Sequence, residues 1–420
     1  MDKLLVHGGH PLRGVVTISG SKNASLPILA ATLLTDEPCI IRRVPDVSDA
    51  NYMLQILQNL GASVERSSGT VRIEAEDIRP VAPYDLVRKM RASICVMGPL
   101  LARLGEVTVS LPGGCVIGDR PVDLHLRAME ALGAQVEVES GNVIVRAPDG
   151  LRGAEVNLRG KHGTTVLGTD NLMMAAVLAE GVTVIEGAAA EPEVADLADF
   201  LIGMGAKIEG AGSQRIEIEG VSRLGGTEHA VIPDRIEAGT FMVAAALAGE
   251  EVELRRVLPR QVVAVTEVLR AAGHDVIEGE GRITVRRGSD PKGARIVTEP
   301  YPGFPTDMQA QMCALFATTP GISVVTETVF PERFMHVAEM KRMGAKMERT
   351  GGTVVIEGVE ALSGAPVMAS DLRASAALVL AGLAAHGTTE INRLYHIDRG
   401  YEHIDDKLQA LGAEVERRKD

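Results

Sequence analysis

Of the 420 residues, 45% are hydrophobic and 24% charged, and the formal net charge is −13. A chain this long exceeds one hydrophobic core and points to several domains, while its acidic balance argues against general affinity for nucleic acid or an anionic membrane. No uninterrupted apolar run reaches the ~18 residues of a membrane span, and no basic segment precedes an apolar one at the N-terminus. The four cysteines, Cys39, Cys95, Cys115 and Cys313, lack C-x-x-C spacing. Neither a zinc site nor a disulfide framework is expected, and a reducing cytoplasm is the default location.

The chain opens on a strand-like run, Lys3 to His7, followed by Leu12-Arg13-Gly14-Val15-Val16. One phrase then returns six times: Leu60-Gly61-Ala62, Leu132-Gly133-Ala134, Met204-Gly205-Ala206, Ala272-Gly273-His274, Met343-Gly344-Ala345 and Leu411-Gly412-Ala413. The spacing, about 70 residues, is longer than the 20–50 of solenoid repeats, so each copy is a small module rather than one layer of a stack. A helix precedes each phrase, with Gly suited to its left-handed cap. Two short β-branched runs joined by a Gly turn follow, as in Val64 to Ile73, which predicts a hairpin. Upstream lies a helix of small residues, such as Ala175 to Ala179 or Ala244 to Ala248, suited to complete burial. A strand follows that helix, as at Val182 to Ile185.

The sixth copy stops without its second strand, so residues 1 to about 20 are expected to complete it. Six units divide into two globules of three. One spans residues 21–232, and the other combines 1–20 with 233–420, with crossings near Gly20-Ser21-Lys22 and Ile232-Pro233-Asp234-Arg235. Between a predicted strand, Glu106 to Ser110, and a predicted helix, Leu124 to Leu132, lies Leu111-Pro112-Gly113-Gly114-Cys115-Val116-Ile117-Gly118-Asp119-Arg120-Pro121. Its glycines and prolines exclude regular structure. A thiol at its tip with Arg120 close behind favours the nucleophilic thiolate, although an isolated Cys is also often a small buried apolar residue.

Several further motifs join this loop: Gly20-Ser21-Lys22-Asn23-Ala24, Leu86 to Ser93, Phe304-Pro305-Thr306-Asp307-Met308-Gln309, Arg333-Phe334-Met335-His336, Asp371-Leu372-Arg373-Ala374-Ser375 and Asp398-Arg399-Gly400-Tyr401. In this order, end to end, the chain resembles the enolpyruvyl transferases that act on UDP-N-acetylglucosamine, the family alkylated by fosfomycin. The resemblance implies an α/β fold of two inverted α/β barrels, each of three βαβαββ units. It implies addition of the sugar 3-hydroxyl to C2 of phosphoenolpyruvate and elimination of phosphate, the first committed step of peptidoglycan synthesis. No metal or cofactor is implied, and the expected partners are these two small molecules.

By the same resemblance, Cys115 is an acid at C3 or an aid to product release, and Asp307 is the base near the sugar hydroxyl. Asp307 could equally cap the helix that follows Pro305. Lys22, Asn23, Arg120, Arg373 and Arg399 are implied to hold phosphoenolpyruvate, with Lys22 and Arg399 counted among the catalytic groups. The sugar nucleotide falls to Arg91, Arg120, Pro121, Val122, Asp123, Leu124, Thr165, Val166, Asp307 and Val329. Taken alone, Lys22 reads as a solvated loop lysine, and Arg88, Lys89 and Arg91 as a solvated helix face. Arg373 could be a cap-pairing residue, and His125 could cap the helix it adjoins. The segment 161–171 departs from the family pattern, which weakens the match of Thr165 and Val166. A shikimate 3-phosphate enolpyruvyl transferase and a repeat-built binding scaffold are the alternatives; the Cys115 loop and Arg120-Pro121-Val122-Asp123 favour the nucleotide-sugar reading.

Overall fold

The six repeated glycines all adopt left-handed backbone, with φ between 91° and 112°, a conformation that costs a residue with a side chain ~1–2 kcal/mol. Each ends a helix, and the first five turn the chain into a hairpin. The computed structural model describes residues 2–82, 84–111, 122–160 and 163–419. In the first copy, helix Ser48–Leu60 ends at Gly61, followed by strands Ser63–Ser67 and Thr70–Glu74 in antiparallel register. The predicted strand over 106–110 and helix over 124–132 appear as Glu106–Ser110 and Asp123–Ala131.

The described residues fall into two compact units, one within residues 20–232, the other from 1–19 and 233–420. Each unit holds three inner helices. In the first they are α1 (Lys22–Ala31), α2 (Met97–Leu104) and α3 (Val166–Ala176); in the second, α4 (Arg235–Ala248), α5 (Gln309–Ala317) and α6 (Leu372–Leu383). Their small side chains let them pack on one another within their unit. In α4 every residue from Ile236 to Leu247 is buried, as expected of a helix apolar nearly all round. Each unit has its own aliphatic core.

Among the described residues the strands form seven sheets, five of them four-stranded. Such a sheet runs from a short parallel strand through the strand after the inner helix to the hairpin. The first copy reads Glu228–Ala230, Cys39–Arg42, Thr70–Glu74, Ser63–Ser67, so its outer strand comes from the far end of the same unit. The N-terminus is shared between two copies. Strand β1 (Lys3–His7) lies between Thr388–Asn392 and Glu414–Arg418, antiparallel to both, in the sixth copy. Strand β2 (Leu12–Thr17) instead runs parallel to Gly249–Arg255 in the fourth. The expectation that residues 1–20 all complete the sixth copy is thereby corrected: one strand fills its missing place, and the next is the parallel outer strand that the fourth copy lacks.

Candidate active site

Several candidate residues stand at or just before the N-terminus of an inner helix, where free backbone N–H groups and the helix dipole favour anions. In the 20–232 unit, Ser21 caps α1 by accepting from Ala24 N at 3.2 Å. Lys22 follows as the first helical residue, with half-buried Asn23 beside it. Lys22 is not a solvated loop lysine. Its Nζ lies 2.8 Å from Asp49 Oδ2, and the two side chains are only 12% and 1% exposed. Asp49, at the start of helix Ser48–Leu60, fixes the direction of the ammonium.

Arg91 opens a 3-10 turn, Arg91–Val96, that packs against both α1 and α3. It is separated from its neighbours in the charge run, since Lys89 lies 4.8 Å from the Tyr52 ring centre and Arg88 pairs with Asp85. Thr165 caps α3 by accepting from Gly168 N at 3.2 Å, and Val166 is the first residue of that helix. Val122 leads into helix Asp123–Ala131, whose first residues are Asp123 and Leu124. His125 does not cap that helix. It is buried, with Nδ1 3.0 Å from Asn171 Nδ2 on α3, and Asn171 also accepts from Gly98 N on α2 at 2.9 Å. Cys115, Arg120 and Pro121 lie outside the described residues, as do Lys161 and His162 of the divergent segment.

The other unit brings two candidates, Asp307 and Arg373, close together, with Arg333 beside them. Asp307 sits in the 3-10 turn Thr306–Met308 ahead of α5, where no side chain caps the turn. Its capping alternative is overturned because the carboxylate is taken by two guanidiniums. Oδ1 accepts from Arg333 at 2.7 Å and Oδ2 from Arg373 at 3.0 Å. Burial alone would raise the Asp307 pKa, but the fields of Arg373 and Arg333 overcome it and hold the carboxyl well below its ordinary range. Arg373 is no cap partner either: Asp371 caps α6 through the backbone N–H of Arg373 and Ala374, leaving the guanidinium free to reach Asp307. That guanidinium also lies 5.3 Å from the Tyr401 ring centre, and Tyr401 Oη is 2.8 Å from Thr240 Oγ1 on α4.

Val329 follows the strand Ile322–Thr326 in a loop held by Glu327. Arg399 ends the 3-10 turn Leu394–Arg399 and is half-buried. Burial, then the Arg399 charge, push the neighbouring His396 imidazole below its usual pKa. Cys39, Cys95 and Cys313 are buried and unpaired, and burial raises all three thiol pKa values. That leaves them poor sources of thiolate. Sequence reasoning missed Asp49 and Glu327 and gave Arg333 no role. For Arg333 a signal existed, since it stands in a quoted motif of this unit. Asp49 carries none, because only the fold brings it to Lys22; Glu327 stands in the Val329 segment and meets the backbone of Val329 and Phe330 locally, but only the fold brings Thr298 and Thr306 to it.

Among the described residues no cluster of His, Cys, Asp and Glu suits a metal ion, and no helix is long and apolar enough to cross a membrane. Fold and site together define a two-unit α/β protein of six modules whose buried helix starts carry lysine, arginine and carboxylate groups. The chain belongs to the EPSP synthase family of enolpyruvyl transferases: the family model, described as EPSP synthase (3-phosphoshikimate 1-carboxyvinyltransferase), matches residues 6–408. It is 68% identical to the UDP-N-acetylglucosamine 1-carboxyvinyltransferase of Akkermansia muciniphila, over 99% of both chains. It is 57% identical to the protein of that name from Methylacidiphilum infernorum, again over 99% of both. The fold is shared with the enolpyruvyl transferase NikO of Streptomyces tendae (TM-score 0.89, 24% identity, covering 100% of this chain and 99% of that one). It is also shared with an EPSP synthase of Acinetobacter baumannii (TM-score 0.77, 19% identity, 100% of both).

Proposed function

We infer that this protein transfers the enolpyruvyl group of phosphoenolpyruvate to the 3-hydroxyl of UDP-N-acetylglucosamine, releasing phosphate. The observation that carries this is near-full-length identity of 68% and 57% to relatives named for that transfer. A shikimate 3-phosphate enolpyruvyl transferase shares the fold, but the EPSP synthase structure is only 19% identical. The step commits UDP-N-acetylglucosamine to peptidoglycan, and a cytoplasmic setting fits the unpaired Cys39, Cys95 and Cys313 thiols.

The reaction needs a base at the sugar oxygen, an acid at C3, and cations for a phosphate and a carboxylate. Asp307 is assigned as the base. Its direction is fixed by two guanidiniums, but in their combined field it is a weak base. An anion that engages Arg373 would offset that field and strengthen Asp307 when substrate arrives. The sugar oxygen then bonds to C2 as its proton passes to Asp307, while C3 receives a proton from Cys115. In the second half C3 returns a proton and the C2–O bond to phosphate breaks, giving the enolpyruvyl ether and inorganic phosphate. Lys22, Asn23, Arg120, Arg373 and Arg399 are assigned to phosphoenolpyruvate, and Lys22 owes its fixed direction to Asp49. Arg91, Arg120, Pro121, Val122, Asp123, Leu124, Thr165, Val166 and the Val329 backbone are assigned to the nucleotide sugar.

Phosphate release from phosphoenolpyruvate, measured separately with UDP-N-acetylglucosamine and with shikimate 3-phosphate, tests the reading. Turnover is expected with the first only, and fosfomycin should add one equivalent of mass at Cys115. Cys115→Asp should turn over and resist the drug, because a carboxylate can carry the proton but is a poor nucleophile toward an epoxide. Turnover with shikimate 3-phosphate alone, or a drug adduct on Cys39, Cys95 or Cys313, would overturn the assignment.

A further inference from the structure

Glu327 is 2% exposed and uses both carboxylate oxygens for different tasks. Oε1 accepts from Thr298 Oγ1 at 2.7 Å and from the backbone N–H groups of Val329 and Phe330 at 2.8 and 2.9 Å. These bonds fold the loop that presents Val329. Oε2 accepts from Thr306 Oγ1 at 2.8 Å. Thr306 is the residue before Asp307, and its hydroxyl in turn accepts from Arg333 NH1 at 3.1 Å, the same nitrogen that donates to Asp307 at 2.7 Å. One buried carboxylate therefore ties the loop assigned to the sugar nucleotide to the turn and arginine that hold the assigned base.

We propose that Glu327 is a positioning residue for the transfer, one oxygen setting the Val329 loop for the sugar nucleotide and the other holding Thr306, Arg333 and Asp307 in register with it. The inference rests on the functional reading above and extends it to a residue that touches neither substrate. Only a carboxylate can do both tasks. An amide offers one acceptor oxygen, and three donors converge at Oε1, so Gln in this place keeps its oxygen there and turns its NH2 toward Thr306. The Thr306 hydroxyl already accepts from Arg333, so it would face two donors and its own hydrogen would lose its acceptor. Glu327→Gln therefore loosens the side of Asp307 and spares the side of Val329. Thr298→Val does the reverse, since Thr298 Oγ1 donates to Oε1 and accepts from Thr328 N at 3.0 Å.

The test is steady-state phosphate release by wild type, E327Q, T306V, T306S, T298V and the E327Q/T306V double variant, with melting temperatures recorded for each. Misplacement of a reacting group by about an ångström can cost about a hundredfold, so E327Q and T306V should lose about 10- to 100-fold in kcat. Their KM for UDP-N-acetylglucosamine should stay within about threefold of wild type, as expected when only transition-state geometry is lost. T298V should raise that KM with kcat little changed, and T306S, which keeps the hydroxyl, should restore turnover. The double variant should be no worse than the poorer single one, because both changes cut the same link. Folded E327Q and T306V with near wild-type kcat, or effects that multiply in the double variant, would overturn the inference while leaving the function standing. Wild-type protein that releases no phosphate with UDP-N-acetylglucosamine would overturn the functional reading, and this role with it.

Discussion

Replacing Asp307 by Asn tests the proposed base, because the structure predicts two separable losses. The carboxylate stands between Arg333 and Arg373, whose side chains are 8% and 3% exposed, and is itself 26% exposed. Asparagine keeps one acceptor oxygen but removes the charge, leaving two buried guanidiniums without the carboxylate that pairs with both. Breaking a buried pair from one side costs about 3–5 kcal/mol, and the partial exposure of Asp307 places this case near ~3. In a unit of about two hundred residues each kcal/mol moves the midpoint by about 2–4 °C, so a fall of about 6–12 °C is expected by calorimetry. Added phosphate should raise the variant's midpoint more than the wild type's, because the vacated charge pair is now an anion site. The loss should be the same at pH 5 and pH 8. The folded carboxyl is held far below its ordinary value of 3.8, so its contribution is complete above that value and fades only as pH falls toward the lower one. Loss of a positioned base costs about 10²–10⁴ in turnover. An unchanged midpoint would refute the charge-pair reasoning, and wild-type kcat in D307N would refute the assignment of the base.

Two further outcomes follow from the repeat. His274 occupies the place that Ala62, Ala134, Ala206, Ala345 and Ala413 hold in the other copies, is buried, and is held to a pKa of about 4 by burial and then Arg287. Below its unfolded value of 6.5 the unfolded chain takes a proton that the folded one refuses, so stability falls as pH drops toward 4. His274→Ala should therefore gain about 2–3 kcal/mol relative to wild type between pH 7.5 and 4.5 by urea unfolding; an equal difference at both pH values would refute this. Deleting residues 2–7 removes a central strand carrying Leu4, Leu5 and Val6, all buried. At about 1.5–3 kcal/mol per side chain the loss is comparable to a whole domain's stability of about 5–15 kcal/mol, so the 1–19 and 233–420 unit should lose its cooperative melting transition, and an unchanged transition would refute the role of β1.

Local physics made the modules legible before any coordinates. Left-handed glycines, β-branched hairpin runs and alanine-rich buried helices act within a few residues of one another, so the six copies, their helices and their hairpins are written along the chain. Resemblance of motifs in order supplied the chemistry and most candidate residues. What the sequence could not decide is long-range. Both the outer strand Glu228–Ala230 and the N-terminal β2 pair with strands over 180 residues away, and such pairing is selected by which sheet edge lies open, not by local pattern. The same holds for the electrostatics. Asp307 reads locally as a helix cap after Pro305, but the fold brings Arg333 and Arg373 to it from 26 and 66 positions away, and two charge-assisted bonds outcompete a single capping bond. Lys22 reads as a solvated loop lysine until Asp49 is placed beside it. The local bonds of Glu327 to the backbone of Val329 and Phe330 gave no hint of its link to the base, because only tertiary packing brings Thr298 and Thr306 to its two oxygens.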